Sequence, residues 1–435
     1  MGAAAHLPAV VIGAGHAGLA MSRRLTERSI DHVVIERGEV ANSWRTERWD
    51  SLRLLTPTWH TGLPGGDDDG QDPDGFMTVG ELTEKLAKYA AHIDAPVLDH
   101  TRVTRLGRRR GGYEVVTDRG TWTCDTAVVA TGGCAVASVP EFAAALPPTI
   151  TSVTPLTYRN PDSLPDGGVL VVGGSATGVQ LAEEIQCSGR PVTLSVGEHV
   201  RMPRTYRGRD IFWWTESAGI MDQRYDEVDD IVRARNVPSP QLIGTPERRS
   251  IDLNSLSDSG VRIVGRLGRI NGSVAQFSGG LANVGALADL KLNRLLRTLD
   301  EAATRIGIDG DVGPPERPES TMLDRTSVSE IDLAAEGIRT VVWATGFRPD
   351  HGWIDLPVFD HKRRLRHDGG VVDAPGLYVL GLSVLRRRRS SYIGGAARDT
   401  EELAAHLHRY LDLTTPSGPP TSAPRPVFTV TKETQ

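Results

Sequence analysis

Two stretches of this chain share one pattern: a short apolar strand, a glycine turn and the start of a helix. The first reads P-A-V-V-I-G-A-G-H-A-G-L-A-M from Pro8, and the second reads V-L-V-V-G-G-S-A-T-G-V-Q-L-A from Val169. In the first, Val10, Val11 and Ile12 form an all-apolar run suited to a parallel strand covered on both faces. Gly13, Gly15 and Gly18 follow in G-x-G-x-x-G spacing. Gly13 makes the tight turn, Gly15 lets the backbone approach a pyrophosphate, and Gly18 lets helix pack on strand. The helix that follows offers free N–H groups and a positive dipole end to the anion. A second strand, His32-Val33-Val34-Ile35, ends at Glu36, whose carboxylate can accept hydrogen bonds from ribose hydroxyls. At this spacing the whole set reads as a dinucleotide-binding unit.

The second glycine turn stands 160 positions after the first and carries Gly173, Ser175 and Gly178, so serine replaces the middle glycine. Its partner strand is Val192-Thr193-Leu194, which places Ser195 or Val196 where Glu36 stands in the first unit. No acid is present there, and His199, Arg201 and Arg204 follow within a few residues. A carboxylate would repel a 2′-phosphate, whereas a guanidinium can grip one with two hydrogen bonds. The second unit therefore reads as a site for NADPH rather than NADH, with Arg201 or Arg204 on the 2′-phosphate. The first, with Glu36, reads as the site of a resident FAD. One chain would then hold both the donor and the acceptor of a hydride.

Two further runs, Asp125–Gly133 and Thr340–Phe347, are strand-like segments that contain A-T-G, one on each side of the second unit. Their placement suggests a chain that leaves one sheet, builds an inserted domain and returns. Turn-rich linkers at Asn160–Gly168 and Asp309–Glu319 fit that scheme. The expected architecture is α/β, with two Rossmann-like dinucleotide-binding domains, the NADPH domain inserted into the FAD domain. The FAD domain would comprise 1–165 and 336–413, the NADPH domain 166–335, and 414–435 a disordered Pro- and Thr-rich tail. Val103–Leu106 and Tyr113–Val116 read as a β-hairpin with an arginine-rich tip. Leu287, Leu290, Leu295, Leu299, Ala303 and Ile306 have the spacing of one face of a long helix.

Exclusions narrow the chemistry. A net charge of −6 argues against nucleic acid as a partner. No apolar run reaches the length of a membrane span, and no leader or lipidation signal is legible, so a cytoplasmic location is expected. Three cysteines, Cys124, Cys134 and Cys187, contain no C-x-x-C pair, which removes a dithiol redox centre and a thiolate zinc site. No metal-ligating spacing and no hydrolase elbow is present.

With these features together, the chain resembles flavin-containing monooxygenase-like proteins (class B flavoprotein monooxygenases) over nearly its whole length up to the tail. The resemblance rests on G-A-G-H-A-G with Glu36, N-S-W-R-T-E-R-W-D-S-L-R-L-L-T-P from Asn42, both A-T-G segments, V-L-V-V-G-G-S-A-T-G, R-G-R-D-I-F-W-W from Arg207 and W-A-T-G-F-R-P-D from Trp343. It implies transfer of hydride from NADPH to FAD, then of one oxygen atom from O₂ to a small amine, sulfide or carbonyl compound through a flavin C4a-hydroperoxide. By the resemblance, Trp44 and Arg45 would lie against the flavin and Thr56 near its ring system. Val103 would meet the adenine, Ala130, Thr131 and Gly132 the adenosine end, and Gly381 the pyrophosphate or ribityl chain. The family's F-x-G-x-x-x-H-x-x-x-Y fingerprint, aligned on Tyr158, meets Pro148, Ile150 and Thr154, so only the tyrosine is kept. Pro57 also replaces an asparagine that some relatives carry after the position of Thr56. These departures keep a second reading open, an NADPH-dependent flavin reductase serving a quinone, a protein carrier or O₂. A third, a flavoprotein scaffold or redox sensor with incidental turnover, is open as well.

Four other features have two readings each. Arg207–Trp214 is either a lid over nicotinamide or substrate, or an aromatic anchor between domains. Arg386–Arg389 either draws an anion or is a solvated basic loop. His60 is either an acid–base group near flavin or structural. The acidic run of Asp67, Asp68, Asp69, Asp72 and Asp74 is a solvated loop or a calcium loop that departs from EF-hand spacing. No residue stands out as catalytic.

Overall fold

Each glycine turn heads its own parallel sheet. The computed structural model describes residues 5–66, 72–323 and 328–414. Strand Ala5–Ile12 leads into helix His16–Thr26 and lies parallel between strands His32–Ile35 and Gly120–Val129. Val97–Leu98 extends the sheet beyond His32–Ile35. On the other side the predicted hairpin forms, Val103–Arg109 against Gly112–Thr117, and joins Gly120–Val129 antiparallel. Val10, Val11, Val34 and Val128 are fully buried, as expected of strands covered on both faces. The C-terminal helix Ala396–Thr414 packs on helix His16–Thr26 and buries Leu403, Ala404 and Leu407 in the same core.

The second sheet repeats this order. Arg262–Val264, Val192–Ser195, Gly168–Val172 and Ile338–Trp343 stand where Val97–Leu98, His32–Ile35, Ala5–Ile12 and Gly120–Val129 stand in the first. Thr151–Val153 adds a fifth parallel strand. The register is shared too. Gly13 N–H donates to the Ile35 carbonyl at 2.8 Å, and Gly173 N–H donates to that of Ser195 at 2.9 Å. Glu36 N–H donates to Leu98 and Val196 N–H to Val264, so Val196 rather than Ser195 holds the position of Glu36.

The first sheet draws on residues 5–129 and 354–379, and the second on 151–343, so one α/β unit is inserted in the other. The expected limits of 166 and 335 are too narrow, because Thr151–Val153 and Ile338–Trp343 both lie outside them. The second A-T-G does not mark the return to the first sheet. Each A-T-G alanine seats its carbonyl against the turn of its own unit. A Cβ on Gly13 would lie 2.7 Å from the Ala130 oxygen, and one on Gly173 would lie 2.3 Å from that of Ala344. Re-entry comes later, where Ile354–Asp355 pairs with Leu106–Gly107.

The long helix spans Leu281–Ile306, but its buried face is Ala288, Leu292, Leu296, Leu299 and Ala303, while Leu287, Leu290 and Ile306 are exposed. The expected face mixed two rows of leucines that only packing separates. Residues 415–435 and Asp67, Asp68 and Asp69 lie outside the described residues. Among the described residues no helix is long and apolar enough to cross a membrane.

Helix meets strand very closely in both units. A Cβ on Gly18 would lie 1.8 Å from the Gly13 oxygen, and one on Gly178 would lie 1.7 Å from that of Gly173. Both obstacles are backbone, so the helix itself would have to move. Gly178→Ala should lower unfolding free energy by about 1–3 kcal/mol or more in urea denaturation, the range of an overpacked core. An unchanged midpoint would contradict this packing.

Candidate functional site

Both turns open into one cleft of ≈ 1160 Å³. At the first, Gly13 adopts φ +109° and its turn is held by Glu36, which is only 8% exposed. Glu36 accepts from Ala14 N–H at 2.8 Å through Oε2, with Gly38 N–H 3.4 Å from Oε1. A Cβ on Gly15 would meet no heavy atom within 4 Å, so the turn faces open space. No side chain caps helix His16–Thr26, which leaves N–H groups of its first turn for an anion. His16 Nε2 and Thr131 Oγ1 are buried without partners on this wall. Burial pulls the His16 imidazole down to about 4, so it is neutral. Such orphaned groups are ones that a bound ligand satisfies. Arg48 stacks its guanidinium 5.1 Å from the Trp44 ring, and both line the cleft.

The second turn is built alike. Gly173 adopts φ +118°, and Ser175 (φ −91°, ψ −176°) keeps the backbone of Gly15 (φ −81°, ψ −178°). Serine therefore changes what the turn presents but not its shape. Helix Ala176–Cys187 also lacks a side-chain cap. The buried Gln241 donates to the Gly174 carbonyl at 2.7 Å and braces the turn. Ser195 is spent internally, donating to the Gly265 carbonyl and accepting from Leu267 N–H. Val196 is buried and brings no charge.

Most of the residues singled out in the sequence reach this space. Gly13, Gly15, Glu36, Trp44 and Val103 line it, as do Ala130, Thr131, Gly132 and Gly381. Gly173 and Ser175 line it from the other unit. Gly18 and Gly178 lie behind the turns, where they permit the close packing described above. Four others stand apart. Arg45 donates to the Val40 carbonyl at 3.0 Å on the outer side of its loop, and Thr56 is buried away from the cleft lining.

Arg201 and Arg204 correct the expected phosphate grip. Arg201 donates to Asp252 and Asp289, each at 2.7 Å, and to the Glu319 carbonyl. Arg204 is 0% exposed, donates to the Leu55 carbonyl at 2.7 Å, pairs with Asp210 at 3.3 Å, and lies over the rings of Phe76 and Phe212. Both are internal ties whose carboxylate partners are distant in sequence or hidden by the fold. The cleft receives other arginines instead, Arg48, Arg235 and Arg266. Reading the third strand of each repeat to the same register would have brought Arg266 forward.

Comparison with known proteins follows the same division. Residues 10–207 match the pyridine nucleotide-disulphide oxidoreductase family. Indole-3-pyruvate monooxygenase YUCCA6 of Arabidopsis thaliana is 30% identical over 213 residues, 47% of this chain and 51% of that protein. The flavin-containing monooxygenase of Stenotrophomonas maltophilia superposes with a TM-score of 0.65 at 18% identity, covering 93% of this chain and 99% of the other. Bacillithiol disulfide reductase Bdr of Staphylococcus aureus does so with a TM-score of 0.59 at 12% identity, covering 94% and 100%. An uncharacterized CzcO-like oxidoreductase of Geobacillus kaustophilus is 31% identical over 397 residues, 91% of this chain and 96% of that protein. The chain belongs to the CzcO-like oxidoreductases.

The family match over residues 10–207 and the fold shared with flavoprotein monooxygenases imply FAD and a nicotinamide dinucleotide. The residues present fit two such groups. Each turn has a positive-φ glycine, an uncapped helix N-terminus and an open face, and the first adds an acid and two orphaned polar atoms.

The remaining motifs of this CzcO-like chain are structural. Phe212 and Trp214 are buried with the long helix, and Arg207 pairs with Asp300 and Asp309, which makes Arg207–Trp214 an anchor rather than a lid. His60 Nε2 lies 2.9 Å from Glu216 Oε1, and Glu216 also pairs with Arg389, so this buried histidine ties the first unit to the insert while Glu216 ties the insert to the C-terminal segment. Arg386–Arg389 is neither an anion trap nor a solvated loop. Arg386 and Arg387 pair with Glu402, Arg388 donates to Gln223, and Arg389 also meets Asp222. Burial raises the Glu402 carboxyl, but hydrogen bonds and charge from Arg387 and Arg386 outweigh that and hold it at about 2.

Two variants separate ties from cleft. Arg204→Ala leaves Asp210 buried without its cation and should cost about 3–5 kcal/mol in urea denaturation, with the NADP⁺/NAD⁺ affinity ratio unchanged. A selective loss of NADP⁺ affinity would return Arg204 to the phosphate. Gly15→Val has room and an ordinary φ, so it should cost at most about 1 kcal/mol as a poorer cap. Yet it should purify without FAD, because the side chain occupies the open face of the turn. A yellow variant with wild-type FAD content would contradict this.

Proposed function

We propose that this chain is an FAD-dependent, NADPH-consuming monooxygenase acting on a small organic molecule. The observation that carries the reading is the single cleft shared by both turns, larger than the range of one ordinary ligand pocket. In this assignment Gly13, Gly15 and the first helix N-terminus take the FAD pyrophosphate, and Glu36 accepts from the ribose. Trp44, Val103, Ala130, Thr131, Gly132 and Gly381 line the rest of the flavin side. Gly173, Ser175 and the second helix N-terminus take the NADPH pyrophosphate. Bound FAD supplies hydride acceptance and the reaction of its reduced form with O₂. The chain positions the two dinucleotides, and the uncharged His16 is among the groups that line the flavin side of the shared space.

The thiols support a diffusible oxidant. Cys124 is buried in the first sheet, Cys187 is exposed at a helix end, and Cys134 alone lines the cleft. No cysteine pair stands there to relay electrons. The likeness to the Stenotrophomonas monooxygenase supports oxygen transfer. One observation favours the reductase reading: the retained fingerprint residue Tyr158 is fully buried beside Glu184 and does not line the cleft, and the same fold serves Bdr.

The test is NADPH oxidation by the FAD-loaded protein with a panel of amines, sulfides and ketones, quantifying oxygenated product against H₂O₂. Monooxygenation predicts that one class yields product in proportion to NADPH consumed. Electrons that end in H₂O₂ or an added quinone across the whole panel would establish the reductase.

A further inference from the structure

We propose that Arg266 is the residue that selects the phosphorylated coenzyme, by holding the adenosine 2′-phosphate at the second turn. The inference rests on the second turn holding a nicotinamide dinucleotide and on the shared register of the two units. Glu36 and Val196 occupy the same place, each donating its N–H to the third strand of its sheet, to Leu98 and Val264. In the first unit the chain beyond that strand returns past the acid, where Thr101 N–H donates to the Glu36 carbonyl and Thr101 lines the cleft. In the second, Leu267 stands three residues beyond Val264 as Thr101 stands beyond Leu98, and Arg266 immediately precedes it, both lining the cleft. The side-chain carbons of Arg266 would lie 3.5 Å from a Cβ on Gly197, so the stem rests on the residue that follows Val196. Arg266 is exposed and lines the cleft, and among the described residues no ion pair or side-chain hydrogen bond holds its guanidinium.

The surrounding charges leave this group available. Glu198 shares the corner but is paired with Lys291 at 2.7 Å. Burial lowers the His199 pKa and favours its neutral form. Arg235, the other arginine on this side, donates to the Val384 carbonyl at 3.3 Å. Arg201 is committed to Asp252 and Asp289, and Arg204 to Asp210 and the Leu55 carbonyl, as shown above. A guanidinium beside an acid-free strand end can take a phosphate dianion with two parallel hydrogen bonds. The place equivalent to a ribose-binding carboxylate is then occupied by Val196, which repels nothing.

Calorimetric titration of the FAD-loaded full-length protein tests this without turnover, using NADP⁺, NAD⁺, adenosine 2′,5′-bisphosphate and adenosine 5′-monophosphate. The wild type should prefer the two 2′-phosphorylated ligands. Arg266→Ala should weaken both by about tenfold or more, with NAD⁺ and the monophosphate held within about twofold. Arg266→Lys should retain part of the preference, and Arg266→Glu should abolish it. Equal losses for phosphorylated and unphosphorylated ligands, an unchanged preference, or a wild type that shows none would each overturn the assignment. A wild type that binds none of the four would sink the second turn as a dinucleotide site together with the arginine. Failure to oxygenate any substrate bears on the reaction alone, since these affinities are measured without it.

Discussion

Four missing side chains set the geometry of this protein. Gly18 and Gly178 let a helix press against the carbonyl of its own turn, and Gly13 and Gly173 let the carbonyls of Ala130 and Ala344 close in from the neighbouring strand. A methyl group at any of the four would meet backbone rather than a yielding side chain. Because the contacts are this close, each helix N-terminus stays at its strand end and its unpaired N–H groups stay aimed at the cleft. The two sheets, the insertion and the shared space are arranged around that packing.

Charge is distributed in a way that the packing explains. Most of the arginines near the second unit are consumed by partners that the fold brings to them: Asp252 and Asp289 for Arg201, Asp210 for Arg204, Asp300 and Asp309 for Arg207. The run Arg386–Arg389 joins the C-terminal helix to the insert through Glu402, Asp399, Glu216 and Asp222. Most of these pairs close within one unit, and those of Arg389 with Glu216 and Asp222 join the C-terminal segment to the insert. Truncating one partner would leave the other charged in a poorly solvated place, which gives such residues a role in stability rather than in chemistry. The cleft keeps charges of both signs, with Arg37, Arg48, Arg102, Arg235 and Arg266 outnumbering Glu36, Glu198 and Asp350 in its lining.

Local chemistry made much of this readable. An apolar run, a glycine at a forced φ and a helix start are properties of ten or fifteen consecutive residues, so both units, Glu36 and the inserted α/β architecture are legible without the fold. The cleft residues that belong to those local patterns, such as Ala130, Thr131 and Gly173, follow with them. The amphipathic helix was legible as a helix, but its buried face was not, since Leu287 and Leu292 differ only in what packs against them. The limits of the insert were misplaced because an A-T-G strand looks the same whichever sheet it joins. Only pairing tells Gly120–Val129 from Ile338–Trp343.

What the sequence by itself determined is therefore the pair of glycine turns and the acid that distinguishes them, because these depend on covalent geometry and short-range hydrogen bonding. Tertiary structure alone decided which cations face the ligand. Arg201, Arg204 and Arg266 have the same side chain and lie in the same inserted unit. Two were drawn inward because a buried guanidinium must be paired and carboxylates were brought within reach, while the third was left at the rim with none.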